Sequence, residues 1–105
     1  MSFFFLDQSF VRGESSIYIG CFEDTPERAL PNYKPDKHGR DKCLAFAAEN
    51  KYEIFALQYN GECWVDDAKI NNYDKYGKFP DENCNSGVGG GYANAVYKIL
   101  CKSHL

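Results

Sequence analysis

Glu53-Ile54-Phe55-Ala56-Leu57-Gln58-Tyr59-Asn60-Gly61-Glu62-Cys63-Trp64-Val65-Asp66-Asp67 is the stretch on which the fold of this chain turns. Asn60-Gly61 lies between two aromatic and aliphatic runs and predicts a β-hairpin, because a two-residue type I′ turn needs positive φ at both central positions. In that register Tyr59 faces Glu62, Gln58 faces Cys63, Leu57 faces Trp64 and Ala56 faces Val65. Side chains alternate across a strand, so one face carries Phe55, Leu57, Tyr59, Glu62, Trp64 and Asp66. The other carries Ile54, Ala56, Gln58, Cys63, Val65 and Asp67.

Upstream, Asp41–Asn50 predicts a helix: Leu44, Ala47 and Ala48 recur at helical spacing, and Asp41 complements the N-terminal dipole. Asn50 is the expected left-handed terminator. Ser2–Val11 and Ile17–Phe22 predict strands, with a turn over Arg12–Ser16 between them. Thr25–Gly39 holds Pro26, Pro31 and Pro35 and is expected to be a long surface loop. Downstream, Ala68–Gly91 is polar, glycine-rich and tyrosine-rich and predicts loop with short turns. Tyr92–Cys101 is expected to return as a closing strand. The pattern is that of one α+β domain over residues 1–105: a small antiparallel sheet, one helix packed on it, and long loops.

A net charge of −3 argues against a nucleic-acid partner, since phosphate recognition needs a basic surface. No apolar run reaches membrane-spanning length, so membrane insertion is not expected. Phe3-Phe4-Phe5-Leu6 meets Asp7 at once and is too short for a leader peptide's apolar core. Five cysteines in 105 residues favour an oxidised framework and therefore a secreted location. No Cys-x-x-Cys pair occurs and the two histidines, His38 and His104, are far apart, so no metal is expected.

In order along the chain come Tyr18-Ile19-Gly20-Cys21-Phe22-Glu23-Asp24, Arg28-Ala29-Leu30-Pro31, Cys43, Tyr52–Gln58 and Gly61-Glu62-Cys63-Trp64. Tyr73–Gly77, Cys84, Gly89-Gly90 and Ala93–Tyr97 complete the set. From about Ile17 to Ile99 this resembles the WSC domain, a secreted module of wall-stress sensors, Kremen-type receptors and invertebrate extracellular proteins, here in a four-cysteine form. The resemblance implies bridges Cys21–Cys84 and Cys43–Cys63. It also implies that Ala47 and Val65 stand where the fuller pattern has a third bridge. Helix and hairpin spacings agree with this: Cys43 and Ala47 are one turn apart, ~6 Å, and Cys63 and Val65 are two strand positions apart, ~7 Å. Cys101 has no partner in the pattern and is either an unreacted thiol or an intermolecular bridge making a homodimer.

Such modules are regarded as carbohydrate binders, so the resemblance implies a non-catalytic, lectin-like function with a glycan or cell-surface polysaccharide as partner. The chemistry of sugar recognition, an aromatic platform with amides and carboxylates beside it, selects Trp64, Asp66, Asn71, Asn72, Tyr73 and Tyr76. The bland reading of Trp64 is a second small core with Phe55 and Leu57 beneath the following loop. The rival function is a protein-interaction or structural, adhesive module, disulfide-dimeric through Cys101, that binds no sugar. Asn72-x-Asp74-x-Tyr76-Gly77 is a poor calcium loop. Gly87-x-Gly89-Gly90-Gly91 lacks the Lys-Ser/Thr of a phosphate loop and is expected to let backbone pass close to a strand. Lys34, Lys37, His38, Arg40 and Lys42 read as a solvated loop. No cofactor and no enzymatic activity are expected, because no nucleophile and base fall at motif spacing.

Overall fold

A computed structural model describes residues 15–66 and 72–100. The sheet is built from β1 (Ser15–Glu23), β2 (Asn32–Lys34), β3 (Ile54–Gln58), β4 (Glu62–Val65) and β5 (Ala93–Leu100). These five strands lie in the order β1-β5-β3-β4-β2, with every neighbour antiparallel. The helix α1 (Arg40–Glu49) packs on one face. The α+β expectation holds, and the last strand in sequence occupies the interior of the sheet. The expected strand over Ser2–Val11, and Cys101 at the other end, lie outside the described residues.

Two disulfides join Cys21 to Cys84 and Cys43 to Cys63, the pairs that the resemblance implies. The second ties α1 to β4 beside Ala47 and Val65, both fully buried in the same core cluster. Buried apolar side chains thus occupy the positions where the resemblance implies a third bridge. Phe55, Leu57, Cys63, Val65, Ala95 and Tyr97 make up the sheet side of that core. A second core on the opposite face gathers Phe22, Leu30, Ile54, Ala56, Trp64 and Val96.

The hairpin departs from its expected register. Gln58 faces Glu62, Leu57 faces Cys63 and Ala56 faces Trp64, so the loop is three residues, Tyr59–Gly61. Tyr59, Asn60 and Gly61 all take positive φ, at 24°, 59° and 92°. The one-residue slip exchanges the expected face partners, as a period of two requires. Cys63 and Val65 now share a face with Phe55 and Leu57 beneath the helix, while Trp64 shares one with Ile54 and Ala56. The register that buries the two largest β3 side chains together with the Cys43–Cys63 bridge prevails over the local preference for a two-residue turn. Gly61 is held in its loop by its carbonyl, which accepts from the Gly39 N–H at 2.9 Å.

Other boundaries shift for local reasons. β1 starts at Ser15, so the expected turn over Arg12–Ser16 gives up its last two residues to pairing with β5. Within the expected Thr25–Gly39 loop, Asn32–Lys34 pairs with Val65–Cys63 as an edge strand. α1 begins at Arg40 after Gly39, and Asn50 stays right-handed at φ −99° while Lys51 takes the left-handed position at φ 67°. The Asn50 side chain instead donates to the Phe46 carbonyl at 2.8 Å. Within Ala68–Gly91, Asp81–Gly87 forms 3-10 turns broken at Cys84–Ser86.

The glycine-rich run does bring backbone against the sheet. Gly89 N–H donates to the Leu57 carbonyl at 3.0 Å, and a Cβ at Gly89 would lie 1.6 Å from the Ala93 carbonyl oxygen. Gly89→Ala is expected to force this backbone apart and cost about 1–3 kcal/mol, read as a lowered urea midpoint. An unchanged midpoint would show that the contact is not tight in solution.

Candidate functional site

Of the six residues selected from sequence, five lie among the described residues, and two of these, Trp64 and Asp66, are buried. Trp64 is buried in the second core, stacked on Tyr33 with ring centroids 4.9 Å apart, and its indole N–H donates to Glu62 Oε1 at 3.3 Å. Asp66 is buried as well. Tyr73 is half-buried and meets Phe22 edge-on at 5.0 Å. The Tyr76 hydroxyl donates to the Glu27 carbonyl. Asn72 is exposed, and Asn71 lies outside the described residues. The second-core reading of Trp64 describes its position, with Ile54 and Ala56 as neighbours in place of Phe55 and Leu57.

A different set converges where the hairpin tip meets the turn before β5. Arg28, Gln58, Tyr59, Glu62, Gly91 and Tyr92 line an open recess of about 250 Å³. Tyr59 and Tyr92 are 57% and 46% exposed, so aromatic surface is presented to solvent there. The Arg28 guanidinium lies 4.6 Å from the Trp64 ring centroid and 5.0 Å from that of Tyr92. Together with the Tyr33–Trp64 stack this sets Tyr33, Trp64, Arg28 and Tyr92 in series. Cation–π contact fixes the guanidinium plane between two rings.

Beneath the recess lies a polar hub whose centre is Gln58, only 3% exposed. Its Oε1 accepts from Arg28 Nη1 and from the Tyr92 N–H, each at 3.0 Å. Its Nε2 donates to Asp24 Oδ2 at 3.0 Å and to Asn94 Oδ1 at 2.8 Å. A primary amide offers two donors and two acceptor positions, so Gln58 is fully used. Asp24 Oδ2 also accepts from Arg28 Nη1 at 3.2 Å, and its Oδ1 accepts from the Ala29 N–H at 2.9 Å. The Asp24 side chain is 1% exposed and the Arg28 side chain 25%. A buried carboxylate therefore compensates a cation that still reaches the recess.

Two phenols elsewhere are shifted. Burial pushes Tyr97 above its ordinary range against the lowering effect of Arg40, and burial followed by Asp81 raises Tyr18. Tyr97 belongs to the core beneath the helix, on the other side of the sheet from Trp64. Among the described residues no group of three His, Cys, Asp or Glu side chains is placed to hold a metal ion. No helix among them is long and apolar enough to cross a membrane.

Arg28, Gln58 and Glu62 all lie in the motif stretches quoted above, yet sequence reasoning singled out none of them as a ligand contact. The available signal was Gln58 itself, a polar residue closing the apolar run Ile54–Leu57. Tyr59 and Tyr92 carry no such signal, because their meeting depends on β3 and β5 lying side by side.

The comparisons agree with this architecture. A family model for the WSC domain matches residues 18–95. A WSC domain-containing protein of Arthroderma benhamiae (strain ATCC MYA-4681 / CBS 112371) is 32% identical over 90 residues, which cover 77% of this chain and 12% of that protein. The chain thus spans about an eighth of the length of that relative. With the matched segment running from β1 into β5 and enclosing both disulfides and the polar hub, the chain belongs to the WSC domain family.

Proposed function

We propose that this domain is an extracellular, non-catalytic binding module that seats a saccharide ring in the recess between Tyr59 and Tyr92. The observation that carries the reading is the recess itself. Exposed tyrosine rings flank a polar floor in which Arg28 and Gln58 are held by the buried Asp24–Asn94 hub. An aromatic face takes the apolar side of a sugar, and fixed donors and acceptors take its hydroxyls. A volume of about 250 Å³ suits a single ring rather than a deep chain. Family membership supports the ligand class, and two buried disulfides support an oxidising compartment.

The lining supports a reading of binding without turnover. Glu62 is its one carboxylate, hydrogen-bonded to the Trp64 indole, and Asp24 lies below in an ion pair. Glycoside cleavage generally needs two carboxyl groups facing each other across the bond.

One ring stacked on one tyrosine contributes about 1 kcal/mol, so a monovalent site should bind at about millimolar to micromolar strength. Multivalent display on a glycan array is the appropriate test. Tyr92→Ala is expected to weaken the best-bound glycan about fivefold or more while changing stability by under about 1 kcal/mol. Trp64, the single tryptophan, touches Arg28 and should report binding by its fluorescence. If no glycan is retained by the intact, clustered protein, the protein-contact reading takes its place. Exposed Tyr59 and Tyr92 beside Arg28 form a composition that protein interfaces favour. In that reading Cys101 is the candidate covalent link of a homodimer, seen as a dimer on non-reducing gels.

A further inference from the structure

Resting on the saccharide reading, we infer that Glu62 sets the charge selectivity of the recess, admitting neutral sugar rings and excluding uronate and sulfated ones. Arg28 is the cation of the lining, and a lone guanidinium at a glycan site would attract carboxylate or sulfate groups in bidentate fashion. Here that attraction is already met. Arg28 Nη1 lies 3.2 Å from Asp24 Oδ2, and Asp24 is buried, so its charge acts on the recess through low-dielectric protein.

Glu62 then remains as the lining's own carboxylate, above the buried Asp24. Among the described residues its contact is the neutral Trp64 indole N–H at 3.3 Å, which supplies a hydrogen bond and no compensating charge. Counting Arg28, Asp24 and Glu62, the site carries one net negative charge, in a chain whose total is −3. An anionic ring would meet that field at short range, whereas a hydroxyl-bearing ring keeps Arg28 as donor and Glu62 as acceptor. Selectivity here arises from a repulsive element placed beside an attractive one.

Glu62→Gln tests this with little change of shape, because the amide oxygen can still accept from the Trp64 indole. The probe is an array carrying neutral glycans, each printed beside its uronate or sulfated counterpart. The readout is the ratio of neutral to acidic binding for matched pairs, with far-UV and near-UV circular dichroism confirming the fold of each variant. The wild-type protein is expected to favour the neutral member by about tenfold or more, and Glu62→Gln to lower that ratio at least about tenfold. The acidic binding so gained should fade at about 1 M salt, where screening acts over ~3 Å, and should vanish when Arg28→Gln is added. Equal binding of both members by the wild-type protein, or an unchanged ratio in Glu62→Gln, overturns the inference and leaves the saccharide reading standing. Failure of the wild-type protein to bind any member overturns both.

Discussion

Replacing Cys21 and Cys84 together by alanine is expected to lower the thermal midpoint by about 20 °C. The bridge closes a loop of 63 residues, and in the chain-entropy account such a cross-link removes about 4 kcal/mol of freedom from the unfolded chain. For a domain of about this size each kcal/mol moves the midpoint by roughly 4–8 °C. The Cys43–Cys63 bridge spans 20 residues and the same reasoning gives about 3 kcal/mol, so the two double replacements should rank in that order. The local consequence differs as well. Cys84 lies in the 3-10 turns Asp81–Gly87, which the bridge fastens to β1 next to the Phe79 N–H to Cys21 carbonyl bond at 3.0 Å. Hydrogen exchange should therefore rise first across Asp81–Gly87 in the variant. Differential scanning calorimetry without reductant gives the midpoint, and a fall below about 5 °C would mean that the loop is already constrained in the unfolded chain.

Gln58→Leu is expected to cost about 3 kcal/mol and to abolish the proposed saccharide binding in the same step. Leucine fills much of the volume but returns none of the four hydrogen bonds. Asn94 Oδ1 and the Tyr92 N–H lose these partners, and Asp24 Oδ2 loses one of two. Each buried orphan costs about 1–3 kcal/mol, with relief at Arg28 and Tyr92, which reach solvent. With a urea slope of about 1–2 kcal/mol per molar, the midpoint should drop by about 2 M. Gln58→Glu separates shape from donor chemistry. The introduced carboxyl would face Asp24 Oδ2, a carboxylate 3.0 Å from the present amide nitrogen, so its folded-state pKa should rise above the ordinary glutamate value of about 4.3. The folded state then binds more protons than the unfolded one, and stability falls as pH rises through that window. The penalty should be full above the raised folded-state value and shrink toward about pH 4. A pH-independent penalty would place the cost in shape rather than in charge.

How much was legible depends on the range of the interactions involved. The helix over residues 40–49, the strand character of Ile54–Leu57, Cys63–Val65 and Ala93–Leu100, and the need for a hairpin near Asn60-Gly61 follow from local propensity and periodicity. The cysteine pairs came with the resemblance, whose ordered motifs span most of the chain. The register of the hairpin did not come from local signals, because Asn60-Gly61 is compatible with loops of two or three residues. What selects three is the burial of Phe55, Leu57, Cys63 and Val65 together under α1, a choice visible only once the helix and its disulfide are in place. The recess belongs to the same class. Asp24, Arg28, Gln58, Tyr92 and Asn94 are separated by up to 70 positions and meet because β5 inserts between β1 and β3. The sequence by itself determined α1, β1, β3, β4 and β5 to within a few residues, the cysteine framework and the family, whereas β2 was read as loop. The tertiary structure alone decided which face Trp64 occupies and which residues surround the recess, since a one-residue slip reverses every side chain on a strand and only long-range burial distinguishes the two registers.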